Sequence, residues 1–292
     1  MHGLRRLGGA LAVMAGSAVA SAGEALAQAP RPWQMGMQDS ASPVAERIAS
    51  LHSLVLWIIT IITIFVAGLL VWVMYRYNSK RNPVASRNSH NTILEVAWTV
   101  VPVLILVVIA IPSFRLVYFE DRAKDADLTI KVTGHQWYWE YNYPDNGGVN
   151  FNSMYDESKL QPGQLRLLDV DNALVIPAGK NIRILTNSAD VIHSFYIPSF
   201  GVQRYAIPGR TIETWVRADK PGQYYGECNQ ICGTNHSYMP ISIRVVTPEE
   251  FAVWVKDAKT KFADGGAAPP APSSATPAPL ALALAAPAPA QQ

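Results

Sequence analysis

The stretch Glu227-Cys228-Asn229-Gln230-Ile231-Cys232-Gly233-Thr234-Asn235-His236-Ser237-Tyr238-Met239-Pro240 gathers two thiols, an imidazole and a thioether in one short loop. His193 stands upstream, at the head of a strand-like run. Thiolate and thioether are soft donors and imidazole suits copper, so the set favours copper over oxygen-seeking cations. A mononuclear blue-copper site takes one Cys, two His and a weak Met; here there is one thiolate more. Two sulfurs at this spacing could bridge two copper ions, each capped by one histidine. Met239 would then be a weak axial donor to one ion, and the main-chain carbonyl of Gln230 a donor to the other. Three plainer readings stand beside this one. Cys228 and Cys232 could pair as a disulfide in an oxidising compartment. Zinc could sit on two Cys and two His, although zinc-finger order puts both His after the Cys pair and Met is not a usual zinc ligand. The histidines could also be ordinary core residues.

The loop needs a scaffold. From Leu128 onward the chain reads as many short strands: Leu128 to Val132, Gln136 to Tyr143, Leu165 to Val170, Ile182 to Thr186, His193 to Pro198, Thr211 to Val216 and Ile241 to Val246. Pro162-Gly163, Pro177 to Gly179, Pro208-Gly209 and Pro221-Gly222 punctuate them. This pattern predicts an all-β sandwich or barrel over 121–262. Thr247-Pro248-Glu249-Glu250 carries a capping box with proline in the first turn, so a helix is expected from there to about Lys261.

Upstream, Ser53 to Met74 and Val96 to Phe114 hold no charged side chain. Each is long enough to cross a bilayer as a helix, and two spans are expected at about 51–76 and 93–117. Between them lie Arg76, Lys80, Arg81 and Arg87, with no acid before Glu95. That short basic loop belongs on the cytoplasmic side. The N-terminus has a positive start at Arg5 and Arg6, a short apolar stretch from Leu7 to Ala20 and the small-residue run Ala25-Leu26-Ala27. It reads as a signal peptide over 1–27 rather than a third span, since a span needs about 20 apolar residues. A periplasmic segment over 28–50 would follow. Signal and loop charge agree on one topology: a multi-pass protein of a bacterial plasma membrane, with both termini and the β-domain outside. Residues 263–292, rich in Ala and Pro, lack the aromatic and β-branched mass that offsets ordering entropy and read as a disordered tail. The formal net charge of +2 and the absence of any nucleic-acid motif predict no nucleic-acid partner.

At these residues the chain resembles subunit II of the cytochrome c oxidases, in the haem–copper oxidase family. Cys228, Cys232, His236 and Met239 fit the family's copper signature, and His193 fits its upstream ligand. Gly134-His135-Gln136-Trp137-Tyr138-Trp139, Gln164 to Asn172 and Ala206 to Arg210 are also similar to family segments, and coverage runs from about Trp33 to about Trp254. The resemblance implies a two-helix transmembrane hairpin with a cupredoxin-like Greek-key β-sandwich outside the membrane. It implies a binuclear copper centre, known as CuA, that takes electrons from cytochrome c and passes them to haem in subunit I, where oxygen is reduced. Other oxidase subunits and the lipid bilayer would be the remaining partners. Trp137 would be the point of electron entry, although a core strand position is the plainer role for a tryptophan in this stretch and suits Trp139 better. Glu95 would stand at the entrance of a proton path, or be simply a solvated helix-end charge. Asp145, Asp156, Glu157 and Asp190 would meet the lysines of cytochrome c. The family's Glu inside the loop is Gln230 here. Its carbonyl can still serve copper, but a neutral amide is a weaker ligand for the magnesium ion that the family shares with subunit I. Two other functions are conceivable: a quinol-oxidase relative, against which the intact Cys, His and Met set argues, and a membrane-tethered copper carrier without electron transfer.

Overall fold

The computed structural model describes residues 29–263 except 85, 122 and 124; the expected signal peptide and all but the first residue of the expected tail lie outside the described residues. Two long helices come first. α1 spans Pro43–Arg76 and α2 spans Thr92–Glu120. Their apolar side chains lie open along the flanks, Trp57 and Trp72 included, as expected of helices whose solvent is lipid. α1 begins eight residues before the expected span, and the reason is local. Ser42 caps it, accepting from the Ala45 N–H at 3.0 Å and donating to the Phe200 carbonyl at 2.6 Å. Ala41 N–H adds a bond to the Ser199 carbonyl at 2.8 Å. The first turn of α1 therefore belongs to the β-domain rather than to the membrane. Asn91 caps α2 by accepting from Leu94 N–H at 3.1 Å. At the other end of α2, Trp215 donates to the Phe119 carbonyl at 3.0 Å and Arg204 to the Glu120 carbonyl at 3.2 Å. Those last carbonyls have no partner within the helix, so these side chains both cap α2 and tie it to the domain.

The β-domain is two five-stranded sheets. One holds β1 (Leu128–His135), β2 (Tyr138–Tyr143), β3 (Val149–Ser153), β5 (Ile182–Ser188) and β8 (Ile212–Val216), in the order β3-β2-β1-β5-β8. The other holds β4 (Leu174–Pro177), β6 (His193–Ile197), β7 (Val202–Ala206), β9 (Gly222–Cys228) and β10 (Pro240–Val246), in the order β4-β10-β9-β6-β7. The pairs β1·β5 and β4·β10 are parallel and the others antiparallel, which makes a curled mixed sandwich of the cupredoxin-like kind. Alternation is clean in β5, where Ile182, Ile184, Thr186 and Ser188 point inward. Ile130, Val132, Trp139, Tyr141, Phe195, Ile197, Ile241 and Ile243 fill the space between the sheets. Each such side chain contributes about 1.5–3 kcal/mol by leaving water. α3 (Pro248–Lys261) carries the capping box, with Glu250 N–H donating to Thr247 Oγ1 at 3.3 Å and Thr247 N–H donating to the Glu250 carboxylate at 2.9 Å. Trp254 on α3 and Phe262 just past its end cover Tyr143 and Phe151 at one end of the sandwich.

The strand expected over Leu165 to Val170 does not form. Asp169 accepts from the Leu165 N–H at 2.6 Å and its own N–H bonds the Leu165 carbonyl at 3.0 Å, closing a turn. An Asp side chain that bonds nearby backbone offers an alternative to the ladder, and here it prevails. Four strands have no counterpart in the sequence reading: β3, β4, β7 and β9. β9 starts with Gly222-Gln223 and β7 carries Gln203 and Arg204, so neither shows an apolar alternation.

Candidate metal centre

β9 ends at Cys228, and β10 begins at Pro240 as its antiparallel partner, so residues 229–239 form the connection between two paired strands. β6 lies on the other side of β9, with Phe195 opposite Cys228, which brings His193 to the mouth of that connection. Three chain segments distant in sequence thereby meet. The Sγ atoms of Cys228 and Cys232 lie 3.9 Å apart and both thiols are free, so the disulfide reading does not hold in this structure. His193 Nδ1 lies 4.0 Å from Cys228 Sγ, and His236 Nδ1 lies 3.5 Å from Cys232 Sγ. The Gln230 carbonyl is 3.4 Å from Cys228 Sγ, and Met239 Sδ is 3.6 Å from Cys232 Sγ. Each sulfur thus faces one imidazole nitrogen and one weaker donor. His193, Cys228, Cys232 and Met239 are buried, at 0, 4, 4 and 1 % exposure, while His236 closes the site at its half-exposed rim. His193, Cys228 and Cys232 alone place their ligand atoms within 4.8 Å of one another. Soft sulfur and imidazole donors packed this closely, four of them on buried side chains, fit copper.

Several residues around the donors fix them. His193 Nε2 bonds Asp190 Oδ1 at 2.8 Å, which turns the Nδ1 lone pair toward the sulfurs. Asp190 also accepts from the Gln136 N–H at 2.7 Å and the Val191 N–H at 2.6 Å. Burial pushes the Asp190 carboxyl up, but these hydrogen bonds outweigh it and hold its pKa below the ordinary carboxylate value. Burial lowers the pKa of His193 below its ordinary 6.5, against the pull of Asp190. Burial, with Cys228 beside it, pushes the Cys232 thiol up to about 12, so without a metal this thiol keeps its proton and a bound cation must displace it. Trp139 is fully buried, edge-on to the His193 ring at 6.0 Å and bonded to the Met239 carbonyl at 3.1 Å. Gly134 is glycine because a Cβ would stand 2.8 Å from the His193 ring.

Trp137 is half-buried beside the loop, its Nε1 donating to the Cys232 carbonyl at 3.3 Å. Gln136 Nε2 donates to the same carbonyl at 2.7 Å. The four acids expected to dock a partner are not one patch. Asp145 accepts from Thr129 N–H at 2.7 Å, at the far end of β1 from His135, about 20 Å along the strand. Asp156 pairs with Lys159 at 2.9 Å and Glu157 with Arg166 at 2.9 Å. These two lie next to Tyr155, whose ring meets Tyr238 of the metal loop at 5.9 Å. Asp190 is occupied by His193. Glu95, in the first turn of α2, bonds the Asn91 N–H at 3.3 Å and the His90 ring at 2.8 Å, remote from the metal centre. The roles of Asp190, Gln136 and Gly134 around the site escape sequence reading, because an Asp three residues before a His carries no signal until the turn that joins them is known.

Two predictions arise here. Asp190→Asn keeps the shape but weakens the hold on His193, and copper affinity should fall by about 10–100-fold, as read by competition with a Cu(I) chelator. In the apo-protein, His193 takes up a proton more readily unfolded than folded. Stability of the domain should therefore be full above about pH 6.5 and decline as the pH falls below it, which chemical denaturation across pH 5–8 measures.

The family described as "Cytochrome C oxidase subunit II, periplasmic domain" matches residues 128–246, and "Cytochrome C oxidase subunit II, transmembrane domain" matches residues 30–116. The chain is 50% identical over 241 residues to a protein of Rickettsia bellii (strain RML369-C) described as "Probable cytochrome c oxidase subunit 2", covering 82% of this chain and 89% of the relative. It is 44% identical over 240 residues to cytochrome c oxidase subunit 2 of Zea mays, covering 80% and 92%. A crystal structure of the periplasmic domain of subunit II of cytochrome oxidase of Bradyrhizobium japonicum is 55% identical, covers 48% of this chain and 99% of that one, and superposes with a TM-score of 0.46. Matched along both the hairpin and the β-domain, the chain belongs to the cytochrome c oxidase subunit II family, as a copper-binding, electron-transferring, inner-membrane subunit of a multi-subunit respiratory oxidoreductase.

Proposed function

We propose that Cys228 and Cys232 share two copper ions between them, that electrons enter from cytochrome c at Trp137, and that they leave for haem in subunit I. One observation carries this reading: each sulfur faces its own imidazole nitrogen and its own weak donor, His193 with Gln230 on one side and His236 with Met239 on the other. When bound, the copper pair supplies a one-electron acceptor and donor. The chain's own residues do the rest. Asp190 and Trp139 hold His193 in one orientation, and the β9–β10 pairing fixes the loop ends, so the ligands need not rearrange when charge arrives. Buried Cys228, Cys232 and Met239 exclude water, which further limits reorganisation. Trp137 offers its ring next to the loop and a hydrogen bond to the Cys232 carbonyl, a short route from surface to sulfur.

A copper carrier would need an open, exchangeable site. Four of the six proposed donors belong to buried residues, which favours electron transfer. Docking of cytochrome c is assigned to the rim near Trp137 and to Asp156 and Glu157, with Asp145 contributing only at long range and Asp190 held by His193. Such charges set encounter rate and its salt dependence. Glu95 is assigned to the entrance of a proton path at the cytoplasmic end of α2. Gln230 gives its carbonyl to copper, and its neutral side chain makes it a weak contact for magnesium. The test is to purify the full chain in detergent, count copper and record the spin spectrum. Two ions per chain with a signal delocalised over both nuclei are expected. A single ion, or a colourless and spin-silent site after oxidation, overturns the reading.

A further inference from the structure

At the periplasmic end of the hairpin, α1 and α2 enclose a cleft of about 240 Å³ lined by Arg47, Ser50, Leu51, Leu54, Pro112, Arg115 and Leu116. Its two ends differ in chemistry. Arg47 and Arg115 stand at the outer mouth, together with Ser50. Leu51 and Leu54 on α1 and Pro112 on α2 lie deeper along their helices, toward the membrane, while Leu116 stands level with Arg115 and is buried. Arg115 directly follows the uncharged run that ends at Phe114, so it lies where hydrocarbon gives way to headgroups. Arg47 sits about 10 Å above Leu54 along α1, at the same boundary.

Two arginines at an outward-facing membrane edge run against the usual placement of positive charge on the cytoplasmic side. Among the described residues, neither forms an ion pair with a carboxylate. The Arg47 guanidinium lies over the Phe119 ring at 3.4 Å, which holds its plane in place, and among the described residues no hydrogen bond engages its N–H groups. A guanidinium fork is shaped to take phosphate oxygens.

We propose that this cleft binds one anionic phospholipid of the outer leaflet, with its phosphate between Arg47 and Arg115, Ser50 beside the headgroup, and an acyl chain along Leu51, Leu54 and Pro112. Charge complementarity at the mouth and an apolar trough beneath it match a lipid and do not match a free anion, which would gain nothing from the leucines. Bound there, the lipid would bridge the two helices close to where Trp215 and Arg204 tie α2 to the copper domain. It would thus stiffen the joint between hairpin and domain.

The oxidase complex is the material for the test. Wild-type complex and the Arg47→Gln/Arg115→Gln double variant are washed with neutral detergent, and retained phospholipids are identified by native mass spectrometry. The wild type should keep one anionic phospholipid that the double variant holds at least about tenfold more weakly. Leu54→Trp, which leaves both arginines but fills the trough, should also lose it, while copper content and the copper spin signal stay unchanged in both variants. Inorganic phosphate at millimolar concentration should not displace the lipid. Equal lipid retention in wild type and variants overturns the proposal. So does displacement by inorganic phosphate, which would mark a simple anion site. A photo-crosslinker at Leu54 that captures a partner subunit in place of lipid also overturns it.

Discussion

Cys232→Ser should abolish the delocalised copper signal and stop electron entry. Cys232, like Cys228, has three other donors around it, with His236 Nδ1 at 3.5 Å, Met239 Sδ at 3.6 Å and Cys228 Sγ at 3.9 Å. A serine hydroxyl is hard, does not ionise near neutrality and cannot bridge soft ions as a thiolate does. The remaining donors would be one thiolate, two imidazoles and a thioether, the set of a mononuclear blue-copper site. The expected outcome is at most one ion per chain, a spin signal confined to one nucleus and turnover with cytochrome c near background. The fold itself should survive, because Ser and Cys are close in volume and the position sits in a loop. Far-ultraviolet circular dichroism checks that. Two coppers and an unchanged spectrum in this variant would remove the shared-sulfur arrangement.

The second large effect is structural. Trp139→Ala should cost about 3–5 kcal/mol, as for other buried aromatic truncations. Trp139 is fully buried, edge-on to Phe195 at 5.4 Å and to His193 at 6.0 Å, and its indole N–H satisfies the Met239 carbonyl. Its removal leaves a cavity under the metal centre and an unpaired carbonyl on the residue that supplies the thioether. For a domain of this size the melting temperature should fall by about 10 °C or more. The copper spectrum should broaden as well, since His193 and Met239 both lose a neighbour. Trp137→Ala is the informative contrast. That side chain is half-buried, so its loss should lower the rate of electron entry far more than it lowers the melting temperature. A melting temperature as low as that of Trp139→Ala would assign Trp137 to the core instead.

The sequence alone determined which atoms could hold a metal. Cys228, Cys232, His236 and Met239 fall inside one loop, and soft donors at such spacing restrict the chemistry before any fold is known. Two uncharged runs and a basic loop between them determined the hairpin and its direction, because bilayer thickness and charge asymmetry act on composition. The Thr247–Glu250 capping box determined a helix start, since its bonds are local. Strand identity was less legible. β7 and β9 carry polar residues and glycine, and what makes them strands is pairing with β6 and β10, a nonlocal gain. Leu165 to Val170 looked like a strand by composition, but an Asp side chain closed a turn there instead.

Only the tertiary structure decided how the site is supported. That His193 reaches the thiols follows from the β6–β9 register. That Asp190 bonds and orients this histidine follows from a turn whose closure no spacing rule reveals. The placement of Asp145 some 20 Å along β1 from His135 has the same origin, as does the meeting of Arg47 and Arg115 at one cleft between two helices. Donor type is a property of single residues and can be read one letter at a time. Distance between residues far apart in the chain is set by the packing of whole sheets and helices, and it exists only once they have folded.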